Sequence, residues 1–204
     1  MSELFQPRAH GDVAALIEAH PLAWIVSRLG EGLRGTTLPL MARTNAQGEV
    51  VELVGHFPRA NPQVAELQRD ARALIMFCGP QGYVSPSWIS DRTWAPTWNF
   101  AHVQFEAELE FFEAPEEIAA HLRELVDFME RGRAGAWSVD EMGQRFDRLA
   151  RAVIGFRARV TRTEARFKLG QDERPDVFEQ ILDRAEPAAF RELMASIGGP
   201  AKAP

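Results

Sequence analysis

The chain has 204 residues, 46% hydrophobic and 25% charged, and its 23 basic against 29 acidic side chains leave a formal net charge of -6. This suits a globular domain with a sizeable core and excludes a polycation that coats nucleic acid. No apolar run nears the roughly 20 residues that cross a bilayer, MSELFQPRAHGD is not a secretory leader, and the lone Cys78 forbids an internal disulfide, so a cytoplasmic protein with no membrane partner is expected.

In chain order, Asp12 is expected to cap a helix over 13–19, with Pro21 beyond its end. LAWIVSR (22–28), TTLPLMAR (36–43) and VVELVGH (50–56) read as strands joined by Gly-rich and Asn-Ala-Gln-Gly turns. Asn61-Pro62 opens a short helix to about Asp70. ALIMFCGP (73–80) reads as a buried strand ended by Gly-Pro, with the Cys78 thiol packed inside. SPSWISDRTWAPTWNF holds Trp88, Trp94 and Trp98 but is broken by Pro86 and Pro96, so it is a braced loop rather than a helix.

In AHVQFEAELEFF, Val103, Phe105, Ala107, Leu109 and Phe111 alternate with polar side chains, the mark of a strand with one buried face. Pro115 opens an amphipathic helix with Ile118, Leu122, Leu125, Val126 and Met129 on one stripe, which puts His121 on the exposed side. SVDE (138–141) is a capping box that starts another helix, AVIGFRARVTR (152–162) returns to alternation, and helices near 175–184 and 187–196 follow. About six closely spaced strands with late helices imply a mainly β, α+β fold, a small barrel decorated by helices. One domain over 1–198 is expected, with helical insertions at about 114–151, C-terminal helices at about 174–197, and a loose tail at 199–204.

Four stretches carry chemistry. GEGLRG (30–35) matches the dinucleotide fingerprint, but TTLPL follows where a helix must open, so a hairpin turn is the better reading. GHFPRANP (55–62) sets Arg59 and Asn61 at a strand-to-helix turn that can hold an anion, or simply present a surface arginine. RFKLGQD (166–172) carries Lys168 and Gln171. Only Lys168 and Lys202 are lysines, and an internal lysine in an arginine-rich chain marks a place for a compact charge. The tryptophan loop offers flat rings, with Thr97 and Asn99 able to hydrogen-bond a ligand edge; its rings serve a core or a subunit interface equally well. The histidines at 10, 20, 56, 102 and 121 have no metal-ligand spacing, and no nucleophile elbow surrounds Ser85 or Ser87, so no metal and no catalytic residue is assigned.

Taken together, TTLPL, GHFPRANP, GPQGYVSPSW, APTWNF and FKLGQD, in this order over 36–172, resemble the motifs of the PaiB-like FMN-binding proteins, described as negative transcriptional regulators. The resemblance implies a split β-barrel of the pyridoxamine-phosphate-oxidase group, a homodimer, and FMN in a groove at the subunit interface. It nominates Arg59, Asn61 and Lys168 for the phosphate and ribityl end, and Thr97, Trp98, Asn99 and Gln171 for the ring end. Thr37 and Gln81 stand where the family has histidine, Pro58 replaces an alanine, and Gly170 and Asp172 replace serine and asparagine.

Two functions stay open. A flavin-binding repressor draws on seven arginines between 145 and 166, three of them (Arg145, Arg148, Arg151) near one helix face, which offer DNA a contact although no helix-turn-helix signature accompanies them. The alternative is an FMN-dependent oxidoreductase or flavin reductase using a nicotinamide cofactor.

Overall fold

The computed structural model describes residues 3–200 apart from Glu31; Lys202 and the rest of the expected tail, 201–204, lie outside the described residues. Seven antiparallel strands form one sheet in the order β2-β1-β5-β6-β7-β4-β3. They are β1 (Leu22–Leu29), β2 (Gly32–Pro39), β3 (Met41–Thr44), β4 (Val50–Pro58), β5 (Arg72–Val84), β6 (Thr97–Phe112) and β7 (Val153–Lys168). The helices are α1 (Gly11–Ala19), α2 (Gln63–Leu67), α3 (Pro115–Glu130), α4 (Arg145–Ala150), α5 (Pro175–Arg184) and α6 (Ala188–Ile197). The architecture is the α+β split barrel, with seven strands where about six were expected.

The extra strand comes from TTLPLMAR, which divides at Leu40. Pro39 has no N–H to give a ladder, and Leu40 turns fully into the core while its N–H bonds the Pro21 carbonyl at 2.9 Å. The sheet can therefore bend there, sending β2 to one edge and β3 to the other. β5 departs from expectation in the opposite direction. It runs through Gly79-Pro80 to Val84, because a register shift between Cys78 and Gln81 absorbs the proline as a bulge. Cys78 is exposed rather than packed.

The Gly30 hairpin is present: β1 and β2 pair Leu29 with Gly32, and Gly30 takes φ +57°, where a side chain would be strained. Asp12 lies inside α1, not at its cap, and its carboxylate accepts from the Arg8 and Ala9 N–H groups at 2.8 and 2.9 Å. α2 stops at Leu67, but Asn61 Oδ1 still accepts the Gln63 N–H at 2.9 Å. The Ser138–Glu141 capping box is intact and heads a short 3-10 turn over Val139–Met142, with α4 starting later at Arg145. The chain beyond α6 is tied down at Gly199, whose N–H bonds the Leu169 carbonyl at 3.0 Å.

β6 and β7, sixteen residues each, form the spine. Their inward side chains, among them Val103, Phe105, Phe156 and Ala158, are fully buried with Ile25, Ile75, Phe77, Leu53 and Phe57. One end of this core is closed by α5, α6 and the tryptophan loop. No described helix is long and apolar enough to cross a membrane.

Candidate functional site

The residues nominated from sequence fall at two ends of the spine. Pro58 pairs with Val153 at the start of β7, and Phe100 pairs with Lys168 at its finish. Those positions are the two ends of the sixteen-residue β7, roughly 50 Å apart when measured along the curving strand. Arg59 and Lys168 thus lie at opposite ends of β7, and no described contact joins Arg59 or Asn61 to Lys168 within one chain.

At the first end, Arg59 is exposed where β4 leaves the sheet. Its Nη1 donates to Glu113 Oε2 at 2.5 Å and its Nε to the Arg151 carbonyl at 3.1 Å. Both partners are on the surface, so exchanging Glu113 for another anion costs little. Asn61 donates from Nδ2 to Thr36 Oγ1 at 3.2 Å while its Oδ1 caps the turn. Next to it, Gln63 is fully buried and donates to the Ile25 carbonyl and Ser27 Oγ at 3.0 and 2.9 Å, fixing the turn to β1. The five-residue α2 is too short for a substantial dipole, so any anion here depends on Arg59 rather than on the helix.

At the second end, Lys168 Nζ donates to Thr97 Oγ1. Trp98 points outward, half exposed, with its indole N–H held by Gln81 Oε1 at 3.1 Å and Tyr83 tilted beside it at 6.0 Å. The three loop tryptophans thus divide: Trp88 and Trp94 pack on the core and Trp98 offers a face. Trp94 is clasped by Glu173, which accepts its indole N–H at 3.0 Å, and by the Arg174 guanidinium 4.9 Å above the ring. Burial pushes the Glu173 carboxyl above its ordinary range, and nearby Asp172 adds to the effect.

Two nominated residues turn away from this face. Asn99 is fully buried on the inner side of β6, and neither its Oδ1 nor its Nδ2 has a partner. Gln171 is spent on its own turn, accepting from the Leu169 N–H at 2.7 Å and donating to the Phe167 carbonyl at 2.5 Å. Gln171 thereby braces the turn that follows β7.

The expectation for His121 is overturned. It is buried, and its Nε2 lies 3.0 Å from His56 Nδ1. Residues 118, 121, 122 and 125 recur at i, i+3, i+4 and i+7, so its place on the apolar stripe was available from spacing alone. No group of three or more His, Cys, Asp or Glu residues that could hold a metal occurs among the described residues.

Of the seven arginines at 145–166, three are paired with glutamates. Arg157 pairs with Glu117 at 3.0 Å, Arg159 with Glu108, and Arg162 with Glu106 and Glu164, while Arg166 lies over the Phe5 ring. Arg145, Arg148 and Arg151 make no ion pair among the described residues.

The donor set suits a flavin phosphate. Two cations sit in contacts that a phosphate can replace or share, a half-exposed indole has a free face, and Thr97 and Asn61 supply neutral polar groups. A family described as "Putative FMN-binding domain" matches residues 1–162. A Bacillus subtilis protein named "Protease synthase and sporulation protein PAI 2" is 30% identical over 166 residues, covering 78% of each chain. Among solved structures, the conserved hypothetical protein Rv2991 from Mycobacterium tuberculosis has a TM-score of 0.60 at 15% identity, with 82% of this chain and 89% of that one covered. The FAD and heme binding protein from Mycobacterium smegmatis has a TM-score of 0.57 at 16% identity, with 85% and 77% covered. At such identities these two structures support the fold alone.

Proposed function

Because the chain belongs to the FMN-binding domain family and is PaiB-like, we propose that it is a cytoplasmic homodimer whose bound FMN serves negative regulation of transcription. FMN is its cofactor. The observation that supports a shared site is that Arg59 and Lys168 lie at opposite ends of β7 with no described contact between them, a gap that a second copy would bridge. The outer face of β1, β5 and β6 supports the pairing, with Leu22, Trp24, Tyr83 and Trp98 each about half exposed on a surface a monomer gains nothing by showing. On this reading Arg59 grips the phosphate with its planar fork, and Asn61 keeps the turn in place. Trp98 of the second copy walls the ring, Gln81 fixes the angle of that indole, and Lys168, aligned by Thr97, reaches the ribityl and phosphate oxygens. Bound FMN supplies a ring that accepts and returns electrons.

Direct contact with DNA would fall to Arg145, Arg148 and Arg151, since Arg157, Arg159 and Arg162 on β7 are already paired with glutamates. The second reading is an FMN-dependent oxidoreductase or flavin reductase using a nicotinamide cofactor. A visible absorption spectrum tests the cofactor: the protein as purified, or after FMN is added, is expected to be yellow with quenched flavin fluorescence. Absence of both would end the flavin reading. Anaerobic bleaching by NADH or NADPH would select the oxidoreductase, and a salt-dependent gel shift on its own upstream DNA alone would select direct repression.

A further inference from the structure

The buried imidazole pair lies outside the flavin reading and does not rest on it. His56 projects from the outer side of β4, and α3 lies across it with His121 inside its apolar stripe. Around the pair are Val54, Phe112 and Ile118, a small cluster separate from the barrel core. Phe112 lies edge-on to His121 at 6.0 Å. Five charged groups face this seam: Arg43 from β3, Glu52 from β4, Glu117 and Glu124 from α3, and Arg157 from β7. Four of them close it as ion pairs, Arg43–Glu124 at 2.5 Å and Arg157–Glu117 at 3.0 Å. The pair itself has no carboxylate partner, and His121 Nδ1 is buried with no hydrogen bond at all.

We propose that this His56–His121 contact is a pH-operated latch, which holds α3 on the sheet while both rings are neutral and releases it on acidification. One neutral ring donates and the other accepts, so the bond exists in a single protonation state. A proton on either ring is a desolvated charge; at His121 the neighbouring His56 opposes it further, Glu124 relieves it, and Arg43 and Arg157 oppose it.

Burial lowers both imidazoles, and for His121 it does so with help from the neighbouring His56, to about 4. A lowered imidazole favours the docked state above pH 6.5, its ordinary value, and that preference drains away as pH falls from 6.5 toward 4. The opening equilibrium of α3 should therefore be roughly 10- to 30-fold greater at pH 5.0 than at pH 7.5.

Hydrogen–deuterium exchange of the full chain at those two pH values, corrected for intrinsic exchange, tests this. Residues 115–130 are expected to lose protection at pH 5.0 while β6 and β7 keep theirs, and the double variant His56→Leu/His121→Phe, which suits the apolar cluster and leaves no titrating ring in the seam, is expected to hold α3 at both. Should that variant fail to fold, His56→Gln/His121→Gln, which can hydrogen-bond without titrating, makes the same comparison. Retained protection of α3 in the wild-type protein at pH 5.0 overturns the proposal. So does equal loss in the non-titrating variant, or loss across the whole sheet.

Discussion

Replacing Arg59 with alanine is expected to weaken FMN binding by about 1.5–3 kcal/mol, roughly 10- to 150-fold in Kd, the scale of a hydrogen bond to a charged group. Riboflavin, which lacks the phosphate, should bind both proteins alike. The side chain is exposed and its ion pair with Glu113 lies on the surface, so losing that pair should leave the unfolding transition nearly unmoved. Titration of flavin fluorescence with FMN and with riboflavin checks this. Equal FMN affinity in the two proteins removes Arg59 from the site, and an equal loss for both flavins shows a damaged barrel rather than a missing phosphate contact.

The largest effect on stability belongs to Phe156→Ala. Phe156 is fully buried in the middle of the sheet, 5.1 Å from the Phe57 ring and 6.4 Å from Phe111, and it fills the space over Gly55, where an added Cβ would lie 3.0 Å from it. Truncation forfeits the transfer energy and leaves a void that a rigid sheet cannot collapse around, a loss of about 3–5 kcal/mol. A domain is typically stable by only about 5–15 kcal/mol, so the variant should unfold at much lower urea concentration with a similar m-value. A loss below about 1 kcal/mol would mean that the sheet closes over the gap and that this layer is not close-packed.

How much of this was legible depends on whether the deciding contacts were local. β6 announced itself because it has one wet face, and its parity could have been carried back to the tryptophan loop. If 103, 105 and 107 point inward, so does Asn99, and Trp98 must point out. The break at Leu40 and the passage of β5 through Pro80 were not readable, since both depend on a neighbouring strand accepting a bend. Arg159 and Arg162 looked free because Glu108 and Glu106 lie across the strand ladder, in a register set by the bulge beside Glu106 and Ala107. Arg59, Asn61, Thr97 and Lys168 were visible as chemistry-bearing residues in punctuated stretches. Their separation along β7 was not, because it is a property of strand pairing.

That separation has a genetic consequence. If every pocket draws Arg59 from one chain and Lys168 from the other, Arg59→Ala and Lys168→Ala injure opposite halves of the same cavity. Unfolding the two defective proteins together and letting them reassemble would yield hybrids with one doubly injured cavity and one wholly intact. With random mixing, about a quarter of all cavities would regain flavin, although neither parent protein binds it well.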